Sequence, residues 1–443
     1  MGTHRFHCFH SSIRVLPVVI LVASAHIACA ESPPTTLKDA YKEHFKIGTA
    51  INRAVATGQA WRRSEEQVQR DVALVKAQFN QVVAENEMKW MSLHPRPGNE
   101  GYDWGAADAF VEFGVKNNME LAGHTLVWHS QTPNWVFEGT HLPPGAGKES
   151  KPASEPNKSD GAPPTPPPPA ATPADGPRGP GRGPGGRGFG GFGGFRSFNL
   201  DGPRASREEL LERMREHIHT VVGRYKGRIK VWDVVNEAIA DGGSDVLRKS
   251  PWSVIIGPDF IEKAFQYAHE ADPDAILRYN DYGLENPEKR RKLISLIKQL
   301  QEKKVPVMAI GSQAHLNVSI TFEAMDQCRA EMKSLGLPIH ITELDVNAAM
   351  GGQRNTGADI AGNSTSTEGG LVADADKKFT DAYTGIFRAF LKHRDAVRIV
   401  TFWGPNDANS WRSRGRPLLF DGDSKPKPAF DAVIKLATAP SVP

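Results

Sequence analysis

The sequence predicts an α/β protein, a (β/α)8 TIM barrel, and three observations support that prediction. Short runs of apolar and β-branched residues recur eight times, at about 45–50, 81–86, 120–128, 230–237, 275–281, 307–316, 339–346 and 398–404. The runs are hydrophobic without clean alternation, and a longer amphipathic stretch follows each, which is typical of parallel strands covered by helices. The Gly-x-Gly-x-x-Gly turn of the alternative, an open doubly wound sheet, does not follow the first run. Eight such units therefore favour a closed barrel.

The first thirty residues resemble a secretory signal rather than a barrel element. Arg5 and Arg14 precede the apolar run 15–22, and small residues follow up to Ala30. This order predicts a signal peptide over residues 1–30, cleavage after Ala30, and export of a mature barrel, residues 31–443, to the extracellular space or periplasm. The apolar run is too short for a membrane anchor. Acylation of Cys29 and a cytosolic N-terminus are the alternatives.

Composition narrows the class of protein. The chain has 443 residues, of which 39% are hydrophobic and 24% charged, and its formal net charge is +3. Such values are ordinary for a soluble globular protein and give no reason to expect nucleic acid as a partner. Without the signal segment the chain keeps one cysteine, Cys328, so neither an intramolecular disulfide nor a cysteine-based metal site can form. Cys328 lies in a helical pattern with Met325 and Met332, which predicts a buried position.

Helix signals and one long interruption mark the stretches between strands. Ser64 has the sequence context of a helix N-cap, and the predicted helix runs to Gln78. A second amphipathic helix is predicted over 258–270. From about residue 139 to 204 the chain is rich in proline, glycine and alanine, which predicts a disordered insertion after strand three, before a helix that resumes at Ser206. Its arginines and phenylalanines also suit nucleic acid, but predicted export favours a solvated loop.

Polar residues cluster at one end of the predicted strands. In a (β/α)8 barrel the functional site lies at the carboxyl ends of the strands. Strands two to eight end in or near Glu85, Asn86 and Lys89; His124 and Trp128; Asn236 and Glu237; Asn280 to Tyr282; Gln313 and His315; Glu343 and Asp345; and Trp403. A carboxylate at the tip of a buried strand is costly to desolvate and adds nothing to packing. Two of them, Glu237 and Glu343, fit the paired carboxylates of a glycosidase.

Seven stretches, in this order, resemble glycoside hydrolase family 10, whose best-known members are endo-1,4-β-xylanases. They are Glu85–Trp90, Gly123–Gln131, Trp232–Glu237, Tyr279–Tyr282, Gly311–His315, Ile341–Asp345 and Phe402–Gly404. The resemblance covers about residues 40–435 without the insertion. It implies retaining hydrolysis of β-1,4-xylosidic bonds in xylan through a glycosyl-enzyme intermediate, with Glu237 as general acid/base and Glu343 as nucleophile. In that mechanism the two carboxyl groups stand about 5–5.5 Å apart.

The resemblance also implies supporting and binding residues. Asn236 corresponds to the residue that binds the sugar 2-hydroxyl, and His315 and Asp345 correspond to the pair that orients the nucleophile. The implied substrate-binding residues are Glu85, Asn86, Lys89, His124 and Gln313 for polar contacts, Trp128, Trp403 and Trp411 for aromatic walls, and Tyr282 for stacking on the leaving-group side. Pyranose rings present apolar C–H faces to aromatic side chains and polar edges to hydrogen-bonding groups.

Two departures from the family pattern and two alternative functions stay open. Gly283 follows Tyr282 where the family commonly has asparagine, and Pro405-Asn406 stands where other residues are usual, which predicts a reshaped loop around Trp411. The histidines near the site suggest a metal, but the amides, lysine and tryptophans fit sugar hydroxyls better, so we expect no metal and no cofactor. We expect a monomer whose partner is xylan. The alternatives are β-1,4-glucanase or cellobiosidase-type activity, and a non-catalytic glycan-binding barrel.

Overall fold

The computed structural model describes residues 1–2, 36–61, 63–143, 198–349 and 370–438. From Thr36 onward the chain forms one compact unit. The signal peptide predicted over residues 1–30 falls almost entirely outside the described residues, as does most of the predicted insertion. Predictions for those segments therefore stay predictions. Among the described helices, none combines the length and apolar character that crossing a bilayer requires.

The strands form the predicted closed barrel. The described residues contain β1 (Lys46–Ile51), β2 (Gln81–Ala84), β3 (Glu120–Gly123), β4 (Val127–Trp128), β5 (Val231–Asn236), β6 (Ile276–Asp281), β7 (Ala309–Ser312), β8 (His315–Asn317), β9 (Ile339–Asn347) and β10 (Val397–Phe402). Parallel pairing runs β1-β2-β3-β5-β6-β7-β9-β10, and β10 pairs back with β1. The (β/α)8 barrel is thus confirmed. Two predicted runs, 120–128 and 307–316, each divide in two, and the short strands β4 and β8 extend the edges of β5 and β9.

Helices follow the strands and carry the predicted caps. They are α1 (Leu37–Ala40), α2 (Arg53–Thr57), α3 (Glu65–Gln78), α4 (Trp90–Leu93), α5 (Gly105–Lys116), α6 (Arg207–Tyr225), α7 (Pro251–Ile255), α8 (Phe260–Ala271), α9 (Pro287–Glu302), α10 (Phe322–Lys333), α11 (Ala375–Lys392) and α12 (Pro428–Thr438). Ser64 caps α3 and Ser206 caps α6, each in a reciprocal capping box. The helix predicted from residue 258 begins two residues later, at Phe260.

Apolar side chains pack in two places. The large cluster fills the layer between strands and helices, and Cys328 is fully buried within it, as predicted. A smaller cluster takes one residue from each of β1, β2, β3, β5 and β10, together with Trp403, so it fills the inside of the barrel. Its members are Ala50, Val83, Ala122, Val231 and Ile399. The inside of the barrel is thus apolar at this level, and the polar groups lie at the carboxyl ends of the strands.

The two ends of the predicted insertion belong to the folded barrel. His141 and Arg204 form an antiparallel bridge with two backbone hydrogen bonds of 2.9 Å. Next to it, the Ala205 amide donates to the Phe137 carbonyl at 2.8 Å. The prediction of disorder over the whole of 139–204 is therefore wrong for residues 139–143 and 198–204. Backbone hydrogen bonds order these residues, and amino-acid composition does not reveal such pairing. Residues 144–197 lie outside the described part of the chain.

Candidate active site

The two glutamates singled out in the sequence stand at the carboxyl end of the barrel. Glu237 directly follows β5, and its φ of 58° turns the chain in the left-handed region at the strand end. Glu343 lies within β9, which continues to Asn347 because residues 345–347 pair with β8. The expectation that Glu343 ends its strand is therefore wrong, although its side chain still reaches the site. Both side chains are buried, with exposures of 2% and 3%.

Two donors hold the carboxylate of Glu237. The Trp128 indole Nε1 donates to Oε2 at 2.8 Å, and the Gln313 Nε2 donates to Oε1 at 2.9 Å. Burial raises the pKa of Glu237 to about 7, despite the Gln313 hydrogen bond, and the negative charges of Asp281 and Glu343 act in the same direction. A carboxyl group with this pKa carries its proton over a large part of the acid range, as a general acid must.

Glu343 has a different environment, made by an amide and an imidazole. The Asn280 Nδ2 donates to Oε1 at 2.9 Å, and the His315 Nε2 lies 3.1 Å from Oε2. The other ring nitrogen of His315 lies 3.0 Å from the Asp345 Oδ2. Burial alone would lower the pKa of His315, but the Asp345 and Glu343 carboxylates outweigh it and raise this pKa to about 9. The ring is then an imidazolium near neutral pH, and its positive charge lies against the Glu343 carboxylate.

Asp345, the further carboxylate of this group, is itself tightly held. The Trp411 Nε1 donates to its Oδ2 at 2.8 Å, and the Arg412 Nη1 donates to its Oδ1 at 2.9 Å. Burial opposes its ionisation, but Arg412 and His315 outweigh burial and lower the pKa of Asp345. Trp411, expected as an aromatic wall, is thus also a hydrogen-bond donor, and Arg412 is a site residue that the sequence did not single out.

Three amides join the two glutamates into one network. The Asn280 Nδ2 donates to Glu343 and also to the Asn236 Oδ1, at 2.9 Å each. The Gln313 Nε2 donates to Glu237 and, at 3.3 Å, to the same Asn236 oxygen. Both carboxylates therefore belong to one buried polar cluster, and each is fixed relative to the other through groups that they share.

Asn280, like Arg412, is a functional residue whose role the sequence did not reveal. It appeared there as one of several polar residues at the end of a strand, with no role given to it. In the structure the Thr342 Oγ1 donates to its Oδ1 at 2.7 Å, while its Nδ2 serves Asn236 and Glu343. Opposite it on β7 stands Gly311, where a Cβ atom would lie 2.3 Å from the Asn280 Oδ1. With the strand register known, the glycine at position 311 would have indicated that the side chain of Asn280 needs this space.

Lys89 lies beside the two glutamates with its partner Asn86. The Nζ of Lys89 donates to the Asn86 Oδ1 at 2.9 Å and stands 5.2 Å from the centroid of the Trp128 ring. Burial lowers the pKa of Lys89, and the nearby carboxylates, first that of Glu343, oppose the shift. At the end of β2, burial and the negative charge of Glu87 raise the pKa of Glu85 to about 7, although Lys89 opposes the shift. These side chains can donate to and accept from sugar hydroxyls.

A rigid ion pair orients His124. Its Nδ1 lies 3.0 Å from the Asp233 Oδ2, and Asp233 is clamped by Arg278 through bonds of 2.7 and 2.9 Å. Asp233 therefore accepts the Nδ1 proton, which leaves the other ring nitrogen for the site. Among the described residues, no group of three or more His, Cys, Asp or Glu side chains is arranged to hold a metal ion.

Aromatic side chains surround the cluster on several sides. Trp403 contacts His124 edge to face, with ring centroids 5.4 Å apart, and Trp411 contacts His315 in the same way at 5.0 Å. Trp128, Trp403 and Trp411 therefore lie beside the polar residues that they were expected to accompany.

Tyr282 is linked to Glu237 through Arg248, which donates to the Tyr282 hydroxyl and to the Glu237 backbone carbonyl, and charged groups surround its ring. Its hydroxyl donates to the Asp241 Oδ2 at 2.7 Å and accepts from Arg248 at 2.8 Å. The Nζ of Lys289 lies 3.3 Å from the ring centroid. One face of this ring is covered by that ammonium group, so a sugar can stack only on the opposite face.

The chain is similar to known glycoside hydrolases over nearly its whole length. The sequence model of Glycosyl hydrolase family 10 matches residues 36–148 and 197–436. The chain is 33% identical over 435 residues to a β-1,4-xylanase of Dictyoglomus thermophilum, covering 96% of this chain and 98% of that protein. It is 35% identical over 418 residues to an endo-1,4-β-xylanase of Geobacillus stearothermophilus, covering 92% and 100%. An intracellular xylanase of Thermoanaerobacterium saccharolyticum, solved as a mutant with xylotriose, matches with a TM-score of 0.67 and 31% identity, covering 91% and 99%.

Proposed function

This chain belongs to glycosyl hydrolase family 10, and we propose that it is an endo-1,4-β-xylanase that cleaves xylan with retention of the anomeric configuration. It is a glycoside hydrolase by its family and by the xylanases to which it is similar over nearly its whole length. One observation carries the mechanistic proposal. Two buried carboxylates share one amide network, yet one has a raised pKa while the other lies against an imidazolium. Paired carboxylates in distinct environments are what double displacement at a glycosidic bond requires.

In the first step Glu343 attacks the anomeric carbon and Glu237 protonates the leaving oxygen. The His315 imidazolium lies against one oxygen of Glu343, and Asn280 fixes the direction of the other. The raised pKa of Glu237 keeps a proton available for the leaving group. The products of the step are a glycosyl ester of Glu343 and a free sugar hydroxyl that carries the proton from Glu237.

In the second step the same groups change roles. Once Glu343 is an ester it is neutral, so the negative charge that helped to raise the pKa of Glu237 is gone. The pKa of Glu237 then falls, and its carboxylate takes a proton from the incoming water as that water attacks the anomeric carbon. The ester bond breaks, Glu343 regains its charge, and Glu237 regains its proton for the next cycle.

Sugar binding falls to the residues around the two glutamates. Lys89, Asn86, Glu85 and His124 face the hydroxyls on the non-reducing side, and Trp128, Trp403 and Trp411 form apolar walls for the ring faces. Asn236 binds the 2-hydroxyl while its Oδ1 is held by Asn280 and Gln313. Tyr282 offers one face on the leaving-group side. Xylan is the polysaccharide that this proposal names, supported by the xylanases among the relatives and by the xylotriose complex.

The enzyme's location and assembly belong to the proposal as well. The charged, apolar and small-residue order of residues 1–30 supports export, with a mature chain that begins at Glu31. N-terminal sequencing of the protein from periplasm or medium checks this, and full-length protein confined to the cytoplasm contradicts it. The mature enzyme acts as a monomer, which light scattering tests directly.

The deciding experiment compares polysaccharides and variants. Purified enzyme should release reducing sugar from xylan with a higher kcat/KM than from a β-1,4-glucan. Glu343→Gln should abolish turnover, since the nucleophile is lost, while the exposed Glu302→Gln should leave it unchanged. Faster glucan cleavage would favour the glucanase alternative. Binding of xylan by the wild-type chain without cleavage would support the alternative of a non-catalytic glycan-binding barrel.

A further inference from the structure

A buried carboxylate far along the sequence from both glutamates lies at the centre of a second polar network. Asp71 stands in the middle of α3, is 1% exposed, and accepts hydrogen bonds from three different parts of the chain. The Asn406 Nδ2 donates to its Oδ1 at 2.6 Å and the Asn409 Nδ2 to its Oδ2 at 2.9 Å. Ser424 donates at 3.1 Å, and Arg63 forms an ion pair at 3.0 Å. A buried carboxylate with this many partners fixes the groups that donate to it.

Two of those donors belong to the loop that follows β10. Asn406 also accepts from the Asn409 amide nitrogen at 3.0 Å and so caps the short 3-10 turn 407–409. The Asn409 Oδ1 in turn accepts from Asn52, the residue that caps α2, at 3.1 Å. Asp71 therefore anchors the middle of the loop 403–412 to helix α3 and, through Asn52, to the end of β1.

The same loop carries two of the donors to Asp345. Two residues after Asn409 comes Trp411, which donates to Asp345 at 2.8 Å, and Arg412 donates to the other oxygen at 2.9 Å. Asp345 is joined through His315 to Glu343. One connected path of hydrogen bonds and one short stretch of backbone thus leads from helix α3 to the nucleophile.

We propose that Asp71 is a positioning residue for Glu343, acting by holding the loop 403–412 so that Trp411 and Arg412 meet Asp345. The inference rests on the proposed function of Glu343. Asp71 itself touches neither sugar nor reacting atoms. Asn406 lies in the pair where this chain departs from the common family pattern, so the anchor is a feature of this chain's own loop.

The expected effect follows from what the loop does to charge at the nucleophile. Without its anchor the loop shifts, Arg412 withdraws, and Asp345 loses the positive charge beside it, so a negative charge on Asp345 becomes less favourable. Three other titratable groups lie near Glu343 or Asp345. They are Lys89 and Glu237 beside Glu343, and Tyr383 near Asp345. Substitution at Asp71 leaves those side chains in place. A changed pH profile therefore reports the loop.

The test compares Asp71→Asn with Asp272→Asn. Asp272 is equally buried but accepts backbone amides at the opposite end of the barrel, just before β6, so it controls for the loss of a buried carboxylate. We expect Asp71→Asn to lower kcat by about tenfold to a hundredfold, with little change in KM, and to move the acidic limb of kcat/KM to higher pH. Asp272→Asn should lower thermal stability without moving that limb.

A second substrate separates a nucleophile defect from an acid defect. Dinitrophenyl β-xylobioside releases a leaving group that needs no protonation, so a weakened acid would spare it. We expect Asp71→Asn to slow this substrate as much as xylan. Normal turnover of the activated substrate, or a pH profile equal to that of the wild type, would overturn the inference. If Asp71→Asn does not fold, Asn406→Ala decides by the same criteria.

A measurement that does not depend on activity distinguishes failure of the proposed function from failure of the proposal for Asp71. The imidazole of His315 can be titrated by NMR in histidine-labelled protein. When Arg412 withdraws, the repulsion between its positive charge and the His315 imidazolium is lost, so the pKa of that ring should rise in Asp71→Asn and stay unchanged in Asp272→Asn. An inactive wild type would defeat the proposed function alone, whereas identical His315 titrations in wild type and Asp71→Asn would defeat this inference.

Discussion

At the residue scale, the difference between the two glutamates comes from their neighbours rather than from their depth. Both are almost fully buried. Glu237 meets neutral donors, Trp128 and Gln313, so burial governs its ionisation. Glu343 meets a ring that two carboxylates keep protonated. Two identical side chains thus acquire opposite tasks, because one meets neutral donors and the other meets a positive charge.

The raised pKa of Glu237 predicts a pH-dependent cost in stability. The unfolded side chain ionises near 4.5 and the folded one near 7, so folding is unpenalised below about pH 4.5, and the penalty grows until it is complete above about pH 7. Glu237→Gln removes that penalty, on the order of 3 kcal/mol at full extent. The Tm of the variant minus that of the wild type should therefore increase from about pH 4.5 to about pH 7.5.

The control for this measurement is Glu302→Gln, at an exposed position on α9. Its Tm difference from the wild type should stay nearly constant over the same range. A constant difference for Glu237→Gln as well would mean that the pKa of Glu237 is not raised, and the assignment of the acid would lose its physical basis.

Gly311 offers a test of the amide network that does not touch a glutamate. A Cβ in Gly311→Ala would displace the Asn280 side chain from Asn236 and Glu343. We expect kcat to fall by about a hundredfold, as for a misplacement near 1 Å. Gly223→Ala, at an exposed position in α6 with open space around it, should keep full activity and gain stability. Wild-type kcat in Gly311→Ala would remove Asn280 from the mechanism.

At the residue scale, the sequence predicts which residues belong to the site better than it predicts the hydrogen bonds between them. Strand periodicity and the family pattern pointed to Glu237, Glu343 and His315, and the structure brings them together. Asn280 and Arg412 were overlooked because their roles depend on strand register and on a loop conformation that alternation of apolar residues does not encode. Trp128 was expected as a wall, and its indole N–H proved to donate to Glu237.

At the element scale, caps decide where helices begin. Ser206 starts α6 just after the insertion, and it exchanges hydrogen bonds with Glu209 in a capping box. Sequence alone predicted this start, as it did Ser64 for α3, because a capping box is a local pattern. The division of two strand runs was not predicted. At 313–314 the chain turns through a positive φ at Ala314, and the contacts that hold it there come from other strands.

The cap of α6 predicts a measurable contribution to stability. Ser206→Ala should reduce the free energy of unfolding by about 1 kcal/mol, since the Glu209 amide loses its side-chain acceptor. Ser206→Asp keeps an acceptor at the same place and should unfold near the wild-type denaturant midpoint. Urea denaturation measures both. Equal midpoints for the alanine and aspartate variants would show that the cap contributes nothing.

At the scale of the whole molecule, the barrel closes without residues 144–197. The backbone bridge between His141 and Arg204 brings the two ends of that segment together, and the family match leaves out most of it, residues 149–196. We predict that replacing 144–197 by a short glycine-serine linker leaves the Tm and the turnover of a small aryl xylobioside unchanged. Loss of folding in the shortened chain would contradict this, and changed turnover of xylan alone would assign the segment to polysaccharide access.

Retention of the anomeric configuration depends on the whole barrel. It requires that Glu237, at the end of β5, and Glu343, in β9, act at one site. Proton NMR of the first products released from xylan measures it directly, before mutarotation mixes the anomers. We predict that the β-anomer appears first and the α-anomer only later. Initial release of the α-anomer would contradict double displacement through Glu343 and with it the roles given to both glutamates.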